Sequence, residues 1–566
     1  MAAPFIITGS NAAALFTLKV YRGDSMVLLA MNWKAPKPPD DFVGFGIEYK
    51  EPGGHKFFAL KNRLAFTPLS GKVVPNTLST LMSPIQKFRW VHFPRNAEMG
   101  GSFTYRVTPV FMNAQDELSY GDVQEVSVEL RRDTYPGLLN LAFTRGFISS
   151  QAFIDRYGAD AIPKLLPKKA ALGLTFKPSY KSAKESEEAL AWMGFEAREA
   201  IIGVLDKAIA DTAAQVRVVA YDLNEPEIVS RLVKLGHRLK AIVDDSADHG
   251  ESKSAETASF KQLAASAGAA NVIRQHMKQL QHNKTIIVDG PSTQLVACGS
   301  TNFSWRGLYV QNNSALVLRG AGPVAAFKKG FDEYWKNDAA HYGSPAVDWT
   351  PLGLTGIDAE VTFSPHSTGN ERLQAIANDI KTTSSSLFYS LAFLDKTTGA
   401  LRDALRDVTN SQKFVYGISD KKAALVLQKP NGNLAPVYAK ELAKHLPEPF
   451  KSEPTGGFGT RMHHKFAVID FDKPTARVYV GSYNFSPTAD TKNGENLLVF
   501  RDQRIAVSYL VEALRIFDHY HFRVLQAETP RKQLVLARPP RKPKEKPWWA
   551  DYYAEPHKIR DRELFA

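Results

Sequence analysis

Two segments of the sequence repeat one arrangement of residue types that suits the breaking of a phosphodiester bond. In each, a lysine follows a histidine at two residues and an aspartate follows it at seven. The residues are His282, Lys284 and Asp289 in the first block, and His463, Lys465 and Asp470 in the second. A histidine can act as nucleophile or proton donor near neutral pH, and a lysine can balance the charge of a phosphate. The repeated spacing therefore indicates a duplicated phosphate-handling block.

A Gly-Ser-x-Asn turn follows each block at nearly the same distance. The glycines come 17 and 18 residues after the histidines, each at the end of a short apolar run. The turn residues are Gly299, Ser300 and Asn302 in the first block, and Gly481, Ser482 and Asn484 in the second. A glycine permits close approach of the backbone to a ligand, and serine hydroxyls and asparagine amides hydrogen-bond phosphate oxygens. We therefore predict that the glycines and serines bind the substrate and that the asparagines assist catalysis.

The apolar residues after each lysine predict a short buried strand. These segments are residues 285–288 and 466–469. Because side chains alternate between the two faces of a strand, each histidine shares a face with its lysine, whereas the aspartate lies on the opposite face. We therefore predict that Asp289 and Asp470 support the scaffold and do not touch the substrate.

At these residues the sequence resembles the phospholipase D superfamily, over about residues 166 to 530. In that family two lobes bring both motifs into one active site. One histidine attacks phosphorus to form a phosphohistidine, the other protonates the leaving alkoxide, and no metal or other cofactor is required. The resemblance therefore implies a phosphodiesterase in which His282, His463, Lys284 and Lys465 are catalytic and no metal site is present.

A carboxylate near the end of the second block commonly orients a histidine in that family. Glu495 lies 32 residues after His463 and fits this role, whereas the residue 32 positions after His282 is Ser314, a much weaker partner. We therefore expect Glu495 to orient His463, His463 to be the nucleophile, and His282 to be the acid.

Two other histidines are expected to be outside the site. His276 and Lys278 also form a His-x-Lys pair, but no aspartate follows His276 at seven residues and no strand follows it at once. His464 is expected to face the opposite side of the strand from His463 and to pack there.

Three functions are compatible with this chemistry. The favoured one is a phospholipase D that cleaves glycerophospholipids to phosphatidic acid and a head-group alcohol. An endonuclease of the same superfamily is the alternative, and a catalytically inactive phosphate-binding protein is the second alternative. The net charge of +13 favours a polyanion, but residues 531–566 alone contribute +5, with ten Lys/Arg against five Asp/Glu.

That basic C-terminal tail is rich in proline and is followed by Trp548, Trp549, Tyr552 and Tyr553. Proline excludes a regular helix over residues 538–547, so this run is expected to be extended. The tail is suited to an anionic membrane surface or to nucleic acid. Alternatively, its aromatic side chains pack on the body of the protein.

The composition indicates a large multidomain protein without disulfide bonds. At 566 residues the chain is too long for one core. Its single cysteine, Cys298, is interpreted as a small buried residue. The N-terminal residues have no basic region and only a short apolar run, and no apolar stretch reaches the length of a membrane span. We therefore expect a cytoplasmic protein, or one exported without a cleavable signal peptide.

The first 130 or so residues have the pattern of an all-β domain. Short runs of alternating polarity occur at residues 14–20, 26–30, 45–49, 88–93, 103–107 and 123–128. Such spacing is typical of a sandwich, and it resembles an immunoglobulin-like or fibronectin type III-like domain at the level of the fold. No catalytic constellation is apparent here, so we assign it to docking or targeting, with an unknown protein partner.

The predicted fold is thus multidomain α/β, with two duplicated phospholipase D-like lobes of mixed sheets flanked by helices after the β-sandwich. Both lobes begin with a helix and a strand, at residues 187–212 and 216–220 in the first and 371–381 and 387–390 in the second. The predicted divisions are 1–132 for the sandwich, 133–169 for a linker, 170–350 and 351–530 for the lobes, and 531–566 for the tail.

Overall fold

The computed structural model describes residues 4–62, 64–66, 78–130, 133–146, 153, 156–336, 348–366, 369–420, 462–528 and 535–566. These residues divide into two compact units. Residues 4–130 and 507–566 belong to one unit, which we call the β module, and residues 133–420 and 462–506 belong to the other, the two-lobe unit.

The β module is built on two antiparallel sheets. The strands are β1 Ile6–Thr8, β2 Phe16–Gly23, β3 Met26–Trp33, β4 Phe42–Lys50, β5 Phe58–Ala59, β6 Lys61–Asn62, β7 Leu78–Ser79, β8 Arg89–His92, β9 Ser102–Met112, β10 Leu118–Tyr120 and β11 Gln124–Glu129. One sheet has the order β1-β2-β3-β8. The other has the order β10-β9-β4-β5, with β11 also paired to β9, and β6 pairs with β7 separately. All six runs predicted from the sequence overlap strands.

Buried side chains from both sheets form one core in the β module. Phe16, Leu29, Phe45 and Tyr105 are among its members. Alternate residues along β2, β9 and β11 are buried, because successive side chains of a strand point to opposite faces and one face meets the core. The closer likeness to immunoglobulin or fibronectin type III domains stays a prediction.

The C-terminal tail packs its aromatic residues into this same core. Trp549 is buried, Trp548 stacks on Phe88 with ring centroids 5.3 Å apart, and Tyr552 lies 5.1 Å from Phe88. The indole N–H of Trp548 donates to the carbonyl of Phe42 at 2.9 Å. These aromatic residues therefore pack on the body of the protein, as the second interpretation of the tail predicts.

The first lobe contains a seven-stranded mixed sheet. Its strands are β12 Leu139–Phe143, β13 Gln215–Ala220, β14 Leu239–Val243, β15 Val272–Arg274, β16 Lys284–Asp289, β17 Gln294–Gly299 and β18 Ser314–Arg319. Their order is β12-β18-β17-β16-β13-β14-β15, with parallel pairing only among β13, β14 and β15. The central strands are almost fully buried because helices flank the sheet.

The second lobe repeats this topology. Its strands are β19 Thr350–Pro351, β20 Asp358–Ser364, β21 Ser386–Leu391, β22 Phe414–Ile418, β23 Lys465–Ile469, β24 Arg477–Gly481 and β25 Glu495–Arg501. The order β20-β25-β24-β23-β21-β22 corresponds strand by strand to β12-β18-β17-β16-β13-β14. The sheet is therefore duplicated, and β16 and β23 are the equivalent strands that follow the two histidines.

The helices connect the strands and complete both units. They are α1 Ile162–Leu165, α2 Ala183–Ala210, α3 Pro226–Lys234, α4 Ala255–Ala267, α5 Trp305–Tyr309, α6 Ala321–Lys336, α7 Glu371–Lys381, α8 Gly399–Thr409, α9 Pro487–Thr491, α10 Gln503–Glu528 and α11 Pro556–Phe565. A non-helical residue, Phe195, interrupts α2. Ser182, Ser254, Ser304 and Ser486 cap the N-termini of α2, α4, α5 and α9 through their hydroxyls.

Two predicted divisions of the chain differ from the structure. Residues 133–169 were predicted to be a linker, but β12 from this segment pairs with β18 along the edge of the first lobe's sheet. The second lobe was predicted to extend to residue 530, but the residues of α10 from Val507 onward belong to the β module. Neither feature has a local sequence signal, because each depends on where the segment packs.

Among the described residues, no helix combines the length and the apolar character needed to cross a membrane.

Candidate active site

The two His-x-Lys blocks occupy equivalent positions at the starts of β16 and β23. Backbone hydrogen bonds join these positions between the lobes: His463 N–H donates to the carbonyl of Asn312 at 3.1 Å, and Gly494 N–H donates to that of Leu280 at 2.8 Å. Each histidine segment therefore lies beside the end of the other lobe's block, which brings both blocks to one place.

Both histidines line a single cavity of about 280 Å³. The ring centroids of His282 and His463 are 6.2 Å apart, and the ring planes are inclined by 69°. The other lining residues are Tyr221, Asp222, Gln279, Leu280, Asn302, Arg306, Gln311, Phe393, Lys396, Asn484, Ser486, Thr488 and Asn493. The separation of the rings leaves space for one phosphoryl group within reach of both imidazoles.

Glu495 contacts the histidine of the other lobe. Its Oε2 atom lies 3.1 Å from Nδ1 of His282, outside the geometry of a regular hydrogen bond. Its Oε1 atom accepts a hydrogen bond from the amide of Asn493 at 2.9 Å. The prediction that Glu495 orients His463 is therefore wrong, because the carboxylate crosses from the second lobe to the first block.

Asn313 is the corresponding partner of His463. Its Oδ1 atom lies 2.8 Å from Nδ1 of His463, and the carbonyl of Ser300 lies 3.2 Å from the same nitrogen. Both neighbours are acceptors, so Nδ1 of His463 carries a hydrogen and Nε2 is the other titrating atom. The sequence reasoning missed Asn313.

A one-residue difference in spacing explains this omission. The first block is one residue shorter than the second between its histidine and its glycine. Asn313, 31 residues after His282, is therefore equivalent to Glu495, and Ser314 is equivalent to Asn496. Consistently, the backbone N–H groups of Ser314 and Asn496 both donate to the turn serines, Ser300 and Ser482. The expected weak role of Ser314 in orienting His282 is wrong.

The two lysines are buried next to the histidines. The ammonium groups of Lys284 and Lys465 donate to the carbonyls of His282 and His463, the latter at 2.8 Å. Lys284 also lies 4.9 Å from the ring centroid of Tyr221. One N–H of each ammonium is thus used for positioning, and its remaining hydrogens can meet a phosphate oxygen.

The two turn asparagines reach the cavity. Asn302 and Asn484 both line it, and the Oδ1 atoms of both lack a hydrogen-bond partner in the described part of the chain. The Nδ2 group of Asn302 donates to Asp222 at 2.7 Å, which fixes the orientation of this amide. These side chains are therefore placed to contact a bound substrate.

The glycines and serines of the turns have another role than the predicted contact with substrate. The hydroxyls of Ser300 and Ser482 accept hydrogen bonds from the neighbouring strands at 3.0 Å, and neither serine lines the cavity. A Cβ atom at Gly299 or Gly481 would collide with the backbone of β18 or β25. The glycine and serine of each turn thus hold the turn against the neighbouring strand, and the turn carries the asparagine.

Burial and like charge set the protonation of the site. Burial, with the neighbouring lysines, moves the pKa of His282 and of His463 well below its usual value. Burial also lowers the pKa of Lys284 to about 7 and raises that of Glu495 to about 7. A bound phosphate anion would counter these effects, because it favours the charged forms of lysine and histidine. The cavity is thus matched to an anion.

Asp470 and Asp289 lie away from the cavity. Asp470 accepts hydrogen bonds from the backbone N–H groups of Ser384, Ser385 and Ser386 at 2.8–3.2 Å. Burial alone would raise the pKa of Asp470, but these hydrogen bonds outweigh it and lower the pKa. Asp289 forms longer ion pairs, with Lys328 at 3.7 Å and Arg217 at 3.9 Å.

Replacement of Asp470 by asparagine is expected to lower the free energy of unfolding by about 2 kcal/mol, because charge-assisted hydrogen bonds become neutral ones. Asparagine tolerates the left-handed backbone at this position, where φ is 52°. Asp289→Asn, the matched control, should change stability by less than about 0.5 kcal/mol. Denaturant titration of both variants measures the difference.

The effect of Asp470 should depend on pH in a defined direction. Because the folded-state pKa is lowered, the stabilisation is present above the unfolded-state pKa and is lost as the pH falls through the folded-state pKa. The stability of the native chain should therefore approach that of Asp470→Asn in acid. Equal losses for both aspartate variants at neutral pH would contradict this assignment.

A charged network that the sequence reasoning missed adjoins the cavity in the first lobe. His249 lies between two carboxylates, with Asp244 Oδ2 2.8 Å from Nδ1 and Asp222 Oδ1 3.2 Å from Nε2. Asp244 also accepts from the backbone N–H of Gln281 at 2.7 Å, beside His282. The network therefore joins the His282 segment to Asn302 through Asp222. Its sequence signal is an acidic residue just beyond each of the strands β13 and β14.

This network contains the one group of described residues with metal-ligand spacing, namely Asp222, His249 and Glu256. Burial alone would lower the pKa of His249, but hydrogen bonds to Asp222 and Asp244 raise it to about 10. The two carboxylates therefore favour the protonated form of this imidazole.

The two other histidines weighed in the sequence lie elsewhere. His276 is half exposed and pairs with Asp245 at 2.8 Å. His464 is buried between aromatic rings, 5.2 Å from Phe466 and 6.1 Å from Phe143. Neither lines the cavity.

Comparisons with known proteins agree with the repeated fold. The family model described as cardiolipin synthase, PLD-like domain, matches residues 205–335 and 376–516, and each match contains one His-x-Lys block. Phospholipase D of Rickettsia conorii is 44% identical over 48 residues, which are 8% of this chain and 22% of that protein. The match thus spans under a quarter of the relative's length.

Solved structures were also found to be similar. Phosphatidylserine synthase of Haemophilus influenzae Rd KW20 is 13% identical, with a TM-score of 0.39 over 66% of this chain and 93% of that chain. Polyphosphate kinase of Porphyromonas gingivalis is 11% identical, with a TM-score of 0.41 over 93% of this chain and 80% of that chain. The two matches to the family model place the chain in the phospholipase D superfamily.

Proposed function

We propose that this protein is a phosphodiester hydrolase that works through a phosphohistidine intermediate and without a metal ion. The observation that carries the proposal is the pair of imidazoles in one cavity, with ring centroids 6.2 Å apart. One imidazole serves as nucleophile and the other as acid and base, a division of labour that a single histidine cannot provide.

The reaction proceeds in two displacements. In the first, Nε2 of His282 attacks phosphorus, the bond from phosphorus to the leaving oxygen breaks, and His463 gives its Nε2 proton to that oxygen. In the second, water attacks phosphorus while His463 takes a proton from it, and the phosphorus–nitrogen bond breaks. His282 is thereby released and His463 is protonated again, so atoms and charges balance over the cycle.

The partners of the two histidines favour His282 as nucleophile, the reverse of the sequence-based assignment. Glu495 lies beside Nδ1 of His282, and its negative charge stabilises the positive charge that this ring acquires on attack. Asn313 and the carbonyl of Ser300 hold Nδ1 of His463 without neutralising its charge. A protonated His463 therefore releases its proton more readily, as a general acid must.

The lysines and asparagines stabilise the phosphate in this scheme. Lys284 and Lys465 provide positive charge inside a buried site, where a charge interaction is stronger than in water. Asn302 and Asn484 provide amide groups at the cavity wall. The two lysines supply the charge balance for which other phosphoryl-transfer sites use metal ions.

We propose glycerophospholipid as the substrate, with phosphatidic acid and a head-group alcohol as products. The names of the matching family and of the Rickettsia relative, cardiolipin synthase and phospholipase D, support a lipid substrate. An endonuclease is the second candidate, which the net charge of +13 supports. A phosphate-binding protein without turnover is the third.

One experiment separates these functions. The full chain is incubated with a chelator and with vesicles of phosphatidylcholine, vesicles of phosphatidylethanolamine, or supercoiled plasmid, and free head group and nicked DNA are measured. The double variant His282→Ala/His463→Ala is the blank. Head-group release supports the phospholipase and nicking supports the nuclease. Loss of all activity with the chelator would contradict the metal-free reaction.

His249 is expected to act as a positioning residue. Replacement by glutamine removes the cation between Asp222 and Asp244, and the partly buried carboxylate of Asp222, which holds Asn302, is left uncompensated. We expect kcat to fall about tenfold to a hundredfold with a smaller change in KM. Steady-state kinetics of His249→Gln, with His237→Gln as the matched control, measure this effect.

A second substitution distinguishes the effect of the uncompensated charge on Asp222 from a general loss of structure. Asp222→Asn keeps an acceptor for Asn302 while removing the uncompensated charge, so the double variant His249→Gln/Asp222→Asn should recover part of the lost kcat. A double variant that is no better than His249→Gln would show that the network only maintains the fold.

A further inference from the structure

Exposed apolar side chains are concentrated on the β module. Of the seven large apolar side chains that are most exposed among the described residues, six lie there. Three of the six are Met82, Tyr120 and Val535, with 58%, 51% and 42% of their surfaces exposed. Soluble surfaces carry single apolar residues routinely, so these three matter only if they lie together.

Hydrogen bonds show that the three are neighbours. The hydroxyl of Tyr120 donates to the carbonyl of Leu81 at 3.2 Å, next to Met82. Ser83 donates to the carbonyl of Leu64, and the backbone N–H of Leu536 donates to the carbonyl of Ala65 at 3.0 Å. Tyr120 and Val535 therefore lie beside the loop of residues 81–84, which contains Met82.

A run of cations continues from this apolar group. The segment after Val535 is held to the module by Gln86, whose Oε1 accepts from Ala537 N–H at 2.9 Å, and by Asp116, which pairs with Arg538 and Arg541. The next three lysines, Lys542, Lys544 and Lys546, are exposed and form no ion pair with the described residues.

We propose that these six residues form a docking strip for the surface of a bilayer that contains anionic phospholipid. The strip consists of Met82, Tyr120, Val535, Lys542, Lys544 and Lys546. Lysines meet the negative headgroups while the apolar side chains enter the interfacial region, a combination suited to a bilayer. The proposal is independent of the reaction proposed above, because it concerns attachment alone.

A bilayer fits these residues better than nucleic acid does. Single-stranded nucleic acid is held by aromatic platforms beside the cations. The tail aromatics that follow the lysines, Trp548, Trp549 and Tyr552, are packed in the core of the β module instead. Methionine and valine side chains cannot stack on bases as aromatic rings do, whereas they partition favourably into the apolar part of a bilayer.

Vesicle sedimentation of the full chain tests this strip. Vesicles of phosphatidylcholine with phosphatidylglycerol are compared with vesicles of phosphatidylcholine alone, at low and at high salt. Three variants are compared with the native chain. They are Lys542→Gln/Lys544→Gln/Lys546→Gln, Met82→Ser/Tyr120→Ser/Val535→Ser, and the control Lys177→Gln/Lys253→Gln/Lys261→Gln, which changes three exposed lysines of the two-lobe unit.

The native chain should bind the anionic vesicles more tightly, and salt should weaken this binding. Each lysine near an anionic leaflet strengthens binding about fivefold, so the lysine variant should bind about a hundredfold more weakly. The apolar variant should lose about tenfold or more at either salt concentration. The control should bind like the native chain.

Three outcomes would overturn the proposal. The first two are unchanged vesicle binding by both strip variants and an equal loss in the control. The third, measured by titrating the same proteins with duplex DNA, is tighter binding to DNA than to vesicles that only the lysine variant weakens. The last outcome would assign the lysines to nucleic acid. A far-ultraviolet circular dichroism spectrum identical to that of the native chain shows that each variant is folded.

Discussion

Replacement of His282 by alanine is expected to lower kcat/KM by at least about 10⁴-fold and to abolish the phosphoenzyme, because the attacking nitrogen is removed. Water would then have to attack the diester directly, without the proposed phosphohistidine, whose positive charge Glu495 is placed to stabilise. The measurement is turnover of a soluble chromogenic phosphodiester, with rapid acid-free quenching to score the intermediate.

His276→Ala is the matched control for this variant. It removes a histidine from the other His-x-Lys pair of the first lobe, and that side chain is half exposed and outside the cavity. The control should retain the native rate. An intact phosphoenzyme in His282→Ala would contradict the assigned nucleophile, even if overall turnover were slow.

Replacement of His463 by alanine should have an effect that depends on the leaving group. For an alkyl diester, loss of the proton donor is expected to lower the rate of phosphoenzyme formation by about 10²- to 10⁴-fold. For a nitrophenyl diester, whose leaving oxygen needs no proton, formation of the intermediate should be much less affected. Pre-steady-state bursts with both substrates measure the two rates.

The same variant should also accumulate intermediate. Hydrolysis of the phosphohistidine needs a base for water, and the proposed base is the imidazole that has just lost its proton, held by Asn313. A burst followed by slow turnover is therefore expected with the nitrophenyl substrate. Equal losses with both leaving groups would contradict the role of His463 as acid.

Much of the fold could be predicted from local patterns. The strands predicted at residues 216–220 and 387–390 correspond to β13 and β21, and the helix predicted at 371–381 is α7. These elements have continuous apolar or periodic segments, whose local preference agrees with their final packing. The doubled spacing of the two His-x-Lys blocks also indicates the family, which the family model confirms.

The pairing across the lobes could not be predicted in the same way. The spacing from His463 to Glu495 suggests a partnership within one block, but Glu495 contacts His282. Sequence distance does not specify which lobe a side chain faces, because that depends on how two similar sheets pack. The equivalent Asn313 was concealed by a single-residue difference in the length of the blocks.

The Gly-Ser turns show that residue type alone does not specify whether a side chain contacts the substrate. Serine and glycine are common at phosphate sites, yet Ser300 and Ser482 here bond the adjoining strands and Gly299 permits close strand packing. The His249 network was missed for the opposite reason. Its residues are separated along the chain and become neighbours only at the ends of β13 and β14.

The most direct measurement is the location of the covalent phosphoryl group during turnover. The native chain is mixed with a labelled diester, quenched in alkali, which preserves phosphohistidine, and digested for peptide mapping by mass spectrometry. The account predicts label on His282, at no more than one group per chain, and none on His463. Label on His463, label on both histidines, or turnover without any labelled histidine would contradict it.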